Sequence, residues 1–355
     1  MGKPIRYELT LDKLFTSTLI RSPEKEIVDR DVKRYTYKEF FDRIKRLSSG
    51  LESLNLNKGA RIGVIEWNTS QYLEMFFGIP LQGSILHTIN LRLSPEEILY
   101  TIKYAEDEAL VFRDEFLPLV EKIAPSLQFV KHWIIINETG SLPSTKLKPV
   151  YHYDDLIKLG STNYEFKALK EDEDASIFFT SGTTGFPKPV VHSHGGMLVE
   201  GLKAGSLHLN LNEDDVFLWY SSPSWMMWNV TLFGLVKGAT VVYYDGSPMI
   251  KNLTPLWEVA EKEKLTILGT SAPFIHGVMK AGLDPKSQFN LKLLKELGST
   301  GAPRSPQGYE WVYNHVKEDI WLNSASGGTD ICSGFVGGCP ILPVYKGETH
   351  ANGSA

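Results

Sequence analysis

Residues Ala60–Arg113 read "ARIGVIEWNTSQYLEMFFGIPLQGSILHTINLRLSPEEILYTIKYAEDEALVFR", and two patterns alternate along them. "ARIGVIEW" is a short apolar run rich in Ile and Val, with the length and composition of a buried strand. From about Ser70 to Gln82 the apolar residues recur at helical spacing, and "SILHTI" then supplies a second strand. Ser94-Pro95-Glu96-Glu97 predicts a helix start, with Ser as cap, Pro at the first helical position and Glu97 closing a capping box. That helix is expected to run to about Ala105, before "EALVFR" forms a third strand. Parallel neighbours need a crossover between them, and strands covered on both faces read as continuous apolar runs. The stretch therefore predicts an α/β fold with a doubly wound, mostly parallel sheet.

The rhythm extends both ways. Thr36 precedes "YKEFFDRIKRLSSGLESL", a helical pattern in which Glu39 completes a second capping box, and "KHWIIIN" supplies one more strand after a further helical stretch. Residues 138–174 break the pattern, because "ETGSLPSTKLKPVYHYDDL" and "STNYEFKALKEDEDAS" are polar and turn-rich. They read as a connection, with Glu171-Asp172-Glu173-Asp174 as solvated surface. From residue 175 strands resume in "SIFFTS", "DVFLWYS", "ATVVYYD", "KLTILGTS" and "DIWLNSA". Two βα subdomains are expected, 1–174 with the connecting segment and 175–355.

Composition excludes several classes. The 355 residues are 42% hydrophobic and 22% charged, ordinary for a soluble globular protein. A net charge of −5 supplies no broad basic field for nucleic acid. Two cysteines, Cys332 and Cys339, make neither a disulfide framework nor a zinc site. No run approaches the roughly 20 apolar residues of a membrane span. "MGKPIRYELTLDKLF" lacks the apolar core of a signal peptide, and Arg6 stands where a myristoylation signal needs Ser or Thr. A cytoplasmic setting is expected.

The chemistry concentrates in "SIFFTSGTTGFPKPVVHSHGG", Ser176–Gly196. An apolar strand runs into Thr180-Ser181-Gly182-Thr183-Thr184-Gly185, followed by Phe186-Pro187-Lys188. Small residues let the backbone fold tightly so that amide N–H groups converge. The hydroxyls of Thr180, Ser181, Thr183 and Thr184 and the ammonium of Lys188 add donors that suit a nucleotide triphosphate. A Ser/Thr/Gly surface turn would have the same composition. A Walker A loop would not, since Gly182 and Gly185 are too close and Pro189 follows the lysine.

"FFTSGTTGFPKPVVHSHGG" closely resembles the phosphate-binding signature of the adenylate-forming superfamily of acyl-CoA synthetases, luciferases and peptide-synthetase adenylation domains. "GSTGAP", Gly298–Pro303, resembles the loop that lies along adenine, which implies nucleotide contacts at Gly301, Ala302 and Pro303. "SASGGTD", Ser324–Asp330, resembles a later motif and implies that Ser326, Gly327, Gly328 and Thr329 meet the nucleotide while Asp330 holds Mg²⁺. That motif follows an apolar strand, the end at which open α/β sheets bind ligands, although an isolated Thr-Asp is also a common helix cap. Residues 1–140 are similar to the medium- and long-chain fatty acyl branch, whereas "SGGTD" is similar to the acetoacetyl-CoA synthetase branch. Many relatives carry an aromatic at the position of Ser326 and Glu at that of Asp330.

The resemblance implies a two-step reaction in which a carboxylic acid attacks the α-phosphorus of MgATP and CoA thiolate then displaces AMP, with Lys188, Thr329 and Asp330 as catalytic residues. It places the acyl pocket around Trp225, Met226, Met227 and Trp228; the same residues would also suit a plain core helix. His192 and His194, near a helix start, read as structural, and His208 and His276 have no evident partner. After Asp330 the family continues with a ribose-binding Asp, a hinge and a small domain bearing a catalytic lysine. None of these is expected within residues 331–355, so weak or incomplete turnover is expected. The alternatives are a non-catalytic nucleotide- or acyl-adenylate-binding domain and an adenylating enzyme with an acceptor other than CoA.

Overall fold

The computed structural model describes residues 7–180 and 185–349. The chain divides into two compact units. The first takes the residues up to Ser17 with Lys38–Val199 and Pro223–Trp225; the second takes Thr18–Tyr37, Glu200–Ser222 and Met226 onward.

In chain order the second unit first supplies β1 (Glu26–Asp29) and β2 (Lys33–Thr36), an antiparallel hairpin. The first unit follows with β3 (Arg61–Ile65), β4 (Ile85–Thr88), β5 (Ala109–Arg113), β6 (His132–Ile136) and β7 (Val150–His152). It ends with β8 (Asp174–Thr180) and β9 (Lys188–Ser193). These seven make one sheet in the order β7-β6-β5-β3-β4-β8-β9, parallel except for the β8–β9 pair. β5 and β6 each bury four consecutive side chains, which is why their sequences show no alternation.

The helices between the strands begin where the sequence predicts. In Pro95–Ala105 the Ser94 hydroxyl accepts from Glu97 N at 3.3 Å, and the Glu97 carboxylate accepts from Ser94 N at 2.9 Å. Such a cap contributes about 1 kcal/mol. Thr69 caps Ser70–Leu81 in the same sense. Within that helix Glu74 is fully buried, and Arg43 and the Tyr153 hydroxyl, both at 2.9 Å, bind its carboxylate. Removing Arg43 would leave a buried charge without its counterion, at a cost of about 3–5 kcal/mol. Tyr153 opens the helix Tyr153–Leu159, which with β7 gives regular structure to a segment that the sequence predicts as a turn-rich connection.

The second unit continues with β10 (Val216–Trp219), β11 (Thr240–Tyr243), β12 (Ile267–Ser271), β13 (Glu296–Thr300) and β14 (Trp321–Ser324). Its sheet order is β14-β13-β12-β10-β11-β1-β2, parallel apart from the β1–β2 pair. A separate antiparallel hairpin joins β15 (Ser326–Gly328) to β16 (Ser333–Val336). Leu218, Leu268, Leu297 and Leu322 from neighbouring strands share a core with Trp257, Phe274 and Val312.

Both sheets reverse direction in the same way. From β3 the chain steps to β4 on one side and then returns to β5 on the other; β10, β11 and β12 repeat the move. Right-handed crossovers leaving in opposite directions place helices on both faces and open a crevice at the carboxyl ends of the strands. In the second unit Trp219 pairs with Gly269 at this point. A Cβ on Gly269 would lie 2.1 Å from the indole Cδ2, and one on Gly298 would lie 2.5 Å from its Cζ3. Two glycines on adjacent strands therefore form the seat of one tryptophan.

Candidate functional site

In the first unit, Thr180 ends β8 and Lys188 opens β9, and the two residues pair across the antiparallel hairpin. The Thr180 hydroxyl donates to the Lys188 carbonyl at 3.4 Å. Ser181, Gly182, Thr183 and Thr184 lie outside the described residues. Gly185 takes a φ of 110°, a conformation that a Cβ disfavours. Phe186 stacks on Tyr100 with ring centroids 4.5 Å apart, and Lys188 is exposed. Lys188 thus lies beside Thr180 across the β8–β9 pair. His192 packs against Phe178 at 5.8 Å. His194 is buried, and burial holds its imidazole at about 4, so it is neutral at physiological pH.

In the second unit, "GSTGAP" runs out of β13 and "SASGGTD" out of the adjacent parallel strand β14, and Ala325 N donates to Ser299 O at 2.9 Å. Gly301, with a φ of 86°, Ala302 and Pro303 are exposed just past the end of β13. Ser326, Gly327 and Gly328 form β15, and Thr329 with Asp330 makes the turn toward β16. Gly327 has no alternative here, because a Cβ would lie 2.0 Å from Ser333 O. Asp330 is exposed, and among the described residues no three His, Cys, Asp or Glu gather into a metal cluster. Arg304, directly after the first of these loops, is buried with its guanidinium 5.0 Å from the Tyr309 ring centre, and burial lowers it to about 10.

A cavity of about 50 Å³ opens among the strands that carry these loops. Thr300, Asn323 and Ala325 line it from the strand ends, Trp219 from β10, and Met227 and Phe233 from the segment after β10. Of the four residues expected at an acyl pocket, Met227 lines this cavity. Trp228 is fully buried with its ring 6.1 Å from that of Tyr243, Met226 is buried too, and Trp225 is 39% exposed.

Two polar residues that the sequence does not connect meet at the cavity wall. His208 Nδ1 lies 2.9 Å from the Gly338 carbonyl oxygen. The Asn323 amide donates to the His208 carbonyl and to Glu296 Oε1, both at 2.7 Å. Burial raises the Glu296 carboxyl well above its usual range, which favours its neutral form. The available signal was an Asn inside the apolar strand "DIWLNSA", since a buried amide requires partners.

Known proteins share this fold. The model of the AMP-binding enzyme family matches residues 15–343. Mouse acetoacetyl-CoA synthetase is 31% identical over 337 residues, 90% of this chain and 50% of its own. A medium-chain-fatty-acid–CoA ligase from Ectopseudomonas oleovorans is 32% identical over 247 residues, 68% of this chain and 44% of its own. The structure of acetoacetyl-CoA synthetase from Streptomyces lividans superposes with a TM-score of 0.87 at 28% identity, covering 97% of this chain and 55% of that one. The chain spans about half the length of the acetoacetyl-CoA synthetases it matches. A family match across nearly every described residue, on a fold of two largely parallel sheets, makes this chain a member of the AMP-binding enzymes.

Proposed function

We propose that the chain forms the nucleotide- and acid-binding core of an AMP-forming acyl-CoA synthetase acting on a short-chain carboxylic acid, with ATP and CoA as co-substrates. The observation that carries this reading is the juxtaposition in the second unit. The loops Gly301–Pro303 and Ser326–Asp330 hang from neighbouring strands whose own ends line a small cavity. A reactive acyl group held there would sit beside the nucleotide loops, and proximity of that kind supplies much of the barrier reduction in such transfers.

In this reading Thr180–Gly185 and Lys188 hold the triphosphate, Gly301–Pro303 border adenine, and Ser326–Thr329 face the α-phosphate. Asp330 is a single exposed carboxylate, which fits Mg²⁺ arriving with phosphate oxygens and water as its other ligands. The metal, when bound, offsets charge on the phosphates. Met227 forms the cavity wall, while Met226 and Trp228 hold that wall from the core and Trp225 flanks it in sequence. The cavity is small, about 50 Å³, which favours a short acid over a long alkyl chain. The relatives named for acetoacetyl-CoA agree with a short acid. A cytoplasmic setting, where ATP and CoA are found, goes with this reading.

The test is exchange of pyrophosphate into ATP, driven by acids of two to twelve carbons. Exchange that peaks with acids of about four carbons supports the proposal. A peak at long chains refutes the size argument, and nucleotide binding with no acid-driven exchange favours a non-catalytic binding module.

A further inference from the structure

We infer that His276 is a positioning residue for the nucleotide, holding the exit of the Gly301–Pro303 loop through the start of the helix Pro306–His315. The inference rests on the reading of that loop as the border of adenine and goes beyond it to what keeps the loop in place.

The sequence offers His276 no partner, yet its Nε2 lies 3.3 Å from both Ser305 N and Ser305 Oγ. A backbone N–H can only donate, so Nε2 is the acceptor. Ser305 is the N-cap of Pro306–His315, and its hydroxyl oxygen accepts from Gly308 N at 3.1 Å. His276 belongs to another helix, Ala272–Lys280, which follows β12, the parallel neighbour of β13. The bond thus ties the chain just past Pro303 to the adjacent βα unit.

The helix Pro95–Ala105 starts in the same way without such a tie. Both helices open on Ser-Pro, one as "SPEE" and the other as "SPQG". In the first, the third helical residue, Glu97, returns its carboxylate to Ser94 N and closes the cap within one turn. In the second, that position is Gly308, which has no side chain to return. A Cβ there would lie 3.0 Å from Arg304 Cγ and 3.1 Å from His276 Nε2, so a side chain would crowd the imidazole. The acceptor that Ser305 N needs therefore comes from a residue 29 positions away.

A local capping box stabilises its own helix, whereas an acceptor on a second helix also fixes the chain that enters the first. On that entering chain stand Gly301, Ala302 and Pro303, all exposed, and Arg304, whose guanidinium packs 5.0 Å from the Tyr309 ring centre. Exposed loop residues lose freedom when a ligand binds, and a loop already held loses less.

The test is calorimetry of MgATP binding to the full chain and to its His276→Leu and His276→Gln variants. Leucine removes the acceptor, whereas the glutamine side-chain oxygen reaches about as far as Nε2 and restores it. His276→Leu should bind MgATP about tenfold more weakly, and His276→Gln should stay within about twofold of the wild type. All three should bind magnesium tripolyphosphate, which lacks the adenosine, equally. Wild-type affinity for MgATP in folded His276→Leu overturns the inference. So does an equal loss in His276→Gln, because the ring would then act by packing and not as an acceptor, and so does a matching loss for tripolyphosphate. Hydrogen exchange on the wild-type chain needs no variant to fold. The Ser305 amide should exchange slowly before nucleotide is added, and exchange at the rate of a free amide also overturns the inference. A wild-type chain that fails to bind MgATP overturns the nucleotide reading itself, whatever the variants do.

Discussion

Replacing Gly269 with alanine tests whether the Trp219 seat is a packing constraint. The new methyl carbon would fall 2.1 Å from two indole atoms, Cδ2 and Cε3, so the ring must retreat by about 1.5 Å to reach ordinary contact. Gly298 closes the neighbouring side, with its own missing Cβ 2.5 Å from the same indole. The strain is therefore not easily relieved, and the substitution should destabilise by about 3 kcal/mol, the upper part of the range for overpacking. Trp219→Ala alone should cost about 3–5 kcal/mol through the cavity it leaves. In the double variant the alanine methyl enters space the indole has vacated, so its own cost should drop below about 1 kcal/mol. The coupling of about 2–3 kcal/mol can be read from urea unfolding of the four proteins at constant m-value. Costs that add to within about 0.5 kcal/mol would show that the glycine is tolerant and that the seat is an accident of the backbone.

Two further predictions concern the first unit. Lys188→Ala should weaken MgATP about 10- to 100-fold by calorimetry, the loss of one charge-assisted bond, without lowering thermal stability, because the side chain is exposed; unchanged affinity would remove Lys188 from the nucleotide site. His194 is depressed to about 4 by burial, against a weaker opposing pull from Glu173, so the unfolded chain binds its proton first as pH falls. The stability contributed by the neutral ring is present above pH 6.5 and is lost between about 6.5 and 4, by at most about 3 kcal/mol. His194→Asn should flatten the pH dependence of unfolding in that window, and identical slopes for the two proteins would contradict the assignment.

Burial on both faces made most of the fold legible. "RIGVI", "ALVFR" and "HWIII" are continuous apolar runs because β3, β5 and β6 lie inside a parallel sheet, and composition alone identifies them. Two of the strands that escaped lack such burial. β2, "KRYT", buries a single side chain, Tyr35, and β9 begins "KP" on a sheet edge with Lys188 and His192 among its six residues. β13 escaped for a different reason. "ELGST" is entirely buried, yet Gly298 takes the place of an apolar side chain because an indole from β10 fills that volume. The loops Gly301–Pro303 and Ser326–Asp330 were legible as motifs, whereas their closeness depends on β13 and β14 being neighbours, a long-range pairing that neither motif encodes. His208 and Asn323 lie 115 residues apart and meet through a backbone carbonyl, a contact that no local pattern announces.

Two groups of residues that line the cavity come from different parts of the second unit. Thr300 and Asn323 belong to β13 and β14, and Ala325 directly follows β14, whereas Met227, Val230 and Phe233 come from the segment before β11. Bulk can therefore change at the second group while the register between Ser299 and Ser324, and with it the spacing of the loops, stays as it is. On the proposed reading such a division separates the choice of acid from the handling of the nucleotide, so that exchanging a few side chains on a single helical segment would retune the scaffold to new acids.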